Sequence, residues 1–113
     1  MPAVQQKDID KKRGLWVKVH TDVSGGQRKQ LVHLWSKYVA NPDSPQDANV
    51  MAFQQSACVL LSEEWNLPDP EKTGEIVPKS EEGLDRASSK DIDALWKVVE
   101  PIVNDAFPNS QAG

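Results

Sequence analysis

Cysteine is almost missing from this chain: Cys58 is the only one in 113 residues. No intramolecular disulfide can form, and no zinc site can be assembled from cysteine pairs. Histidine is scarce as well. His20 and His33 have no Cys, His or Asp cluster at ligand spacing around them, so both read as ordinary surface or boundary side chains and not as ligands or general bases. No apolar run approaches the roughly 18 residues that a membrane-spanning helix requires. The opening MPAVQQKDIDKKRG also lacks the apolar stretch of a signal peptide, and a reducing, cytoplasmic setting is the expectation.

Catalytic signatures are equally thin. No nucleophile can be assigned beside a base, and no pair of carboxylates is set in contrasting surroundings. Cys58 falls in the apolar run Ala57 to Leu61, where a thiol behaves as a small hydrophobe. Ser24-Gly25-Gly26 precedes a helix start, but a phosphate loop needs a longer glycine-spaced motif closed by Lys and Ser or Thr, so a turn with a cap is expected. Glu63-Glu64 and Glu81-Glu82 read as solvent-facing or capping carboxylates, and no metal and no cofactor is assigned. The expectation is a protein that is not an enzyme.

Charge is present but unevenly placed. Residues 1–59 carry eight Lys/Arg against five Asp/Glu, and residues 60–113 carry five against twelve, for a net charge of −4. An acidic second half argues against a general nucleic-acid binder, which needs positive surface to displace phosphate counterions. Lys11-Lys12-Arg13 reads as a solvated basic segment diluted by Asp8 and Asp10.

The hydrophobic fraction of 38% supports one core in a chain of this length. Residues 1–13 have no apolar period and are expected to be a flexible tail. A single domain is expected over 14–106, and 107–113 should be a frayed end. Leu15, Val17 and Val19 alternate with Trp16, Lys18 and His20, the period of a strand over 15–21. Ser24 and Gln27 form a capping box, opening a first helix whose stripe is Leu31, Leu34, Trp35 and Tyr38 and which should stop at Asn41-Pro42. NPDSPQ, residues 41–46, reads as a connection, and Asp47 as the cap of a second helix with the stripe Val50, Phe53, Ala57, Leu60 and Leu61, running to about Glu63-Glu64-Trp65.

The stretch WNLPDPEKTGEIVP, residues 65–78, reads as a loop that could pinch into a small hairpin. Ser80 should cap a short turn weakened by Gly83. A last helix opens at Ser88 or Ser89, with the stripe Ile92, Leu95, Trp96, Val99, Ile102, Val103 and Ala106 and a kink or restart at Pro101. The fold class expected is therefore mainly α: a small bundle of three main helices with one short N-terminal strand and at most a small hairpin.

Four tryptophans are many for this length. Trp35 and Trp96 fall on helix stripes and should be core. Trp16 points away from the Leu15-Val17-Val19 face and Trp65 sits where a helix meets a proline-rich loop, which makes both candidates for a binding patch. With Leu67 and Ile76 they form the candidate partner-binding set.

Trp65, Leu67, Asp69, Gly74, Pro78, Ser80, Glu82 and Leu84 fall in the order of the pattern W.l.D..G..lP.s.e.l..l, with two more residues between Asp69 and Gly74 than the pattern has. This resembles the tail assembly chaperones of long-tailed bacteriophages, over roughly the C-terminal two-thirds of the chain, and the Trp16-Val17 strand with its SGGQRK helix start is similar too. The resemblance implies a helical chaperone that binds hydrophobic helices of a tape-measure protein and recruits tail-tube protein. Homo-oligomers are compatible with it. The alternatives are a structural virion protein for head-tail joining or tail completion, and a small DNA-binding regulator using Arg28-Lys29 and Lys11 to Arg13.

Overall fold

The structure, a computed structural model, describes residues 4–39 and 46–107. Its elements in chain order are β1 (Val4–Asp10), β2 (Leu15–His20), α1 (Gly25–Tyr38), α2 (Gln46–Leu61), β3 (Ser62–Trp65), α3 (Glu81–Arg86) and α4 (Ser89–Ala106). The three strands form one antiparallel sheet in the order β1-β2-β3. The architecture is thus mixed α/β, four helices with a three-stranded sheet, and not the three-helix bundle with a single strand that the periodicity suggests.

Two strands were hidden from pattern reading, for different reasons. Residues 4–8 of β1 are exposed, so no alternation marks them, and the expected flexible tail is in fact a strand in register from Val4↔His20 to Asp10↔Leu15. What holds it is remote in sequence. At the end of the hairpin turn, where Gly14 adopts φ 68, Arg13 donates to Asp10 at 2.8 Å and also to Asp91, which is buried at the start of α4. Ile9 adds apolar contact with the core.

The other hidden strand, β3, follows α2 with no glycine or proline between them, so Glu63-Glu64-Trp65 looked like the end of the helix. Its burial is two-sided, Ser62 and Trp65 in and Glu63 and Glu64 out. A register shift between the Lys18 and Val19 pairs leaves Glu63 without a partner in the ladder. The side chain of Asn66 fastens this edge: its Oδ1 accepts from the Trp16 N–H at 2.7 Å and its Nδ2 donates to the Gly14 carbonyl at 2.9 Å.

β2 has the expected alternation, with Leu15, Val17 and Val19 sealed. α1 starts at the Ser24 cap with both halves of the capping box formed, which satisfies two otherwise orphaned backbone donors. α2 is central and packs on α1, α3 and α4, while α4 also touches β1. In α4, Asp91, Leu95, Val99, Val103 and Ala106 form the buried stripe. Pro101 is exposed within a helix that continues through it, so the carbonyl it deprives of a donor, on exposed Lys97, is left to solvent. Among the described residues no helix is long and apolar enough to cross a membrane. The expected stop at Asn41-Pro42, most of the 41–46 connection, the side chain of Asp47 and the end beyond Phe107 lie outside the described residues.

Candidate functional site

The four tryptophans do not sort as their helix stripes suggest. Trp65, a candidate for the surface, is buried, and its indole N–H donates to the Val77 carbonyl at 2.9 Å. Leu67 is wholly buried. Ile76 is 54% exposed, and Trp16 is half-buried on the outer face of the sheet under Lys18, whose Nζ is 5.6 Å from the ring centroid. The candidate binding set is therefore divided: Trp65 and Leu67 are structural, while Trp16 and Ile76 reach solvent. Trp35, expected in the core, is 44% exposed.

The residues carrying the chaperone resemblance, exposed Glu82 apart, share an architectural role. Leu67 and Val77 pair across the loop, as do Asp69 and Glu75, at 3.0 and 2.9 Å, so residues 67–77 are pinched as the sequence suggested. Gly74 adopts φ 83 at the tip. Asp69 is buried, accepts from the Glu71 N–H at 2.9 Å and meets Arg86 at 3.2 Å. These donors hold its carboxyl below the usual range, the backbone N–H of Glu71 being the largest cause. Ser80 caps α3 through the Gly83 N–H. Gly83 is needed for approach: a Cβ there would lie 2.0 Å from the Pro78 carbonyl oxygen. The motif is a device for closing the loop on the core.

The open feature lies elsewhere. α1, α2 and α4 diverge around a groove of about 690 Å³ lined by Trp35, Val50, Phe53, Trp96, Val103 and Phe107, with Gln54, Glu100, Asn104 and Asp105 completing it. Buried Phe53 sits at its centre. Trp35 stands edge-on to Phe53 at 5.3 Å and to Phe107 at 5.8 Å, and Trp96 edge-on to Phe53 at 6.4 Å. Such ring pairs contribute about 1 kcal/mol each beyond area burial, which holds the walls in place without a bound molecule. Val32 and Met51 are exposed on the same two helices, α1 and α2, at 39% and 58%.

The polar lining residues Gln54, Glu100, Asn104 and Asp105 were not singled out by the sequence reading, and of the apolar lining Phe107 is the one it missed, placed there in the frayed end. The signal was available: it lies four residues beyond Val103 and so continues the α4 stripe, and its backbone N–H closes the helix on the Val103 carbonyl at 3.2 Å.

The remaining polar clusters do not converge. His20 Nε2 lies 3.1 Å from Glu63 on the outer face of the sheet, but Ser62 opposes Val19, and directly paired residues share a face, so its hydroxyl points to the core side. Cys58 is buried, and burial pushes its thiol up to about 12. Among the described residues no group of three or more His, Cys, Asp or Glu could hold a metal ion.

Comparison with protein-family models, with curated proteins and with solved structures returned no match.

Proposed function

We propose that the chain is a protein-binding adaptor whose α1/α2/α4 groove receives an apolar helix of a partner, in the helix-in-groove mode. The observation that carries this reading is the groove itself: an aromatic floor and walls with Trp35 44% exposed, in a domain that buries its other large stripes. A partly exposed tryptophan on the wall of a recessed apolar patch is of the residue type that most often carries binding energy at an interface. In keeping with the resemblance of the Trp65 to Leu84 pattern, the reading extends to a tail assembly chaperone that holds hydrophobic helices of a tape-measure protein. A virion protein for joining or completion would use the same surface toward a different partner.

The DNA-binding alternative is less well supported. Arg13 is spent on Asp10 and Asp91 at the start of α4, whereas Arg28 borders a hollow with Ile102, Asp105 and Ala106 at its other end. Fourteen residues of helix separate those ends by about 21 Å, with carboxylates between.

The test is co-elution and sedimentation of the full chain with a purified helical fragment of a tape-measure protein at micromolar concentration. Complex formation that Trp35→Ala abolishes is the expected result. No complex, or one indifferent to Trp35→Ala, removes the reading.

A further inference from the structure

Resting on the groove reading above, we infer that the occupant is an amphipathic helix whose apolar face is flanked by Lys or Arg. The apolar part of the groove says only that something greasy fits; its charge narrows the choice. The lining contains two carboxylates, Glu100 and Asp105, and no cation. Both are exposed on α4, and neither has an ion-pair partner among the described residues. Arg28 borders the adjoining hollow beside Asp105 without pairing to it, so Glu100 is the less compensated of the two.

Exposed Asp8, Asp22, Glu75, Glu82, Asp85 and Asp93 likewise carry no ion pair among the described residues, so what sets Glu100 and Asp105 apart is their place on the groove wall. Asp10, Glu63, Glu64, Asp69 and Glu71 each meet a cation or a histidine within the chain. An unpaired acidic wall beside an open aromatic floor favours a partner with positive charge next to its apolar stripe. It disfavours an acidic helix, because like charges brought together at a rim slow association and weaken the complex.

The experiment uses the full chain and three 18-residue helical peptides with one leucine stripe, free of tryptophan and flanked by Lys, Gln or Glu. Binding is followed through the protein's indole fluorescence at low and high salt. The lysine peptide is expected to bind about fivefold tighter than the glutamine peptide at 0.1 M salt, the order of two exposed ion pairs, and the glutamate peptide weakest. The preference should vanish in Glu100→Gln/Asp105→Asn and shrink at 1 M salt, where screening acts within about 3 Å. Equal binding of all three peptides overturns this inference and leaves the groove reading standing. Failure of all three overturns both. A dimer that no peptide displaces, or binding seen only after deletion of residues 108–113, identifies the occupant as a second copy or as the chain's own end and overturns the inference as well.

Discussion

Trp65 and Trp35 are the same residue in opposite circumstances. Around Trp65 the chain closes: the indole N–H has the Val77 carbonyl, Leu67 and Leu84 are sealed, and Asp69 with Arg86 locks the loop. Around Trp35 three helices meet without closing, and the ring is held by edges of Phe53 and Phe107 with 44% of its residue surface in solvent. One region uses tryptophan to complete the fold and the other keeps it available. The local sequence suggested the reverse, since a helix stripe looks like core and a proline-rich loop looks like surface.

This contrast sets the order of mutational effects. Trp65→Ala should cost about 4 kcal/mol in denaturant unfolding, from lost burial, a residual cavity and an orphaned carbonyl. Gly83→Ala in the same region should cost about 3 kcal/mol, because its Cβ would collide with backbone that cannot move aside. Trp35→Ala should cost about 2 kcal/mol, the loss of its two ring pairs, while removing partner binding. Equal losses at Trp65 and Trp35 would erase the distinction between a sealed and an open tryptophan.

The acid response sharpens the comparison further. The carboxyl of Asp69 is held below its ordinary value in the folded chain, so its contribution is present above the unfolded value of about 3.9 and is lost as pH falls through the lower folded one. The contribution of Asp69 should therefore be flat from pH 7 to about 5 and decline below about 4. Asp69→Asn should flatten part of that decline, as seen in unfolding midpoints measured across the range; an unchanged acid limb in the variant would deny the latch. The smallest effect concerns Cys58. Its buried thiol should not react with a disulfide reagent in the native chain and should react once the chain is denatured, in a colorimetric assay.

What could be read from the residues was local. The Ser24-Gln27 capping box, the Ser80 cap and the β2 alternation each lie within a few residues, and each takes its expected form. The strand β1 depends on a ladder and on an Arg13 to Asp91 contact spanning 78 residues, neither of which leaves a periodic trace. The switch from α2 to β3 happens at Leu61-Ser62 without a breaker residue. The site was harder still. Leu31, Leu34, Trp35 and Tyr38 form a real stripe, yet only Leu31 is buried, because how much of a stripe is covered depends on how three helices diverge. Periodicity gives the direction of a side chain but not the extent of its neighbours.

The central claim is that a partner is met at Trp35 and not at Trp65, and the four indole N–H resonances report this directly. On titration of the labelled full chain with a leucine-striped, lysine-flanked helical peptide, the signals of Trp35 and Trp96 should shift together while that of Trp65, bonded to Val77, stays in place. Shifts at Trp65 or Trp16 with Trp35 unmoved would place the binding surface elsewhere and contradict the account.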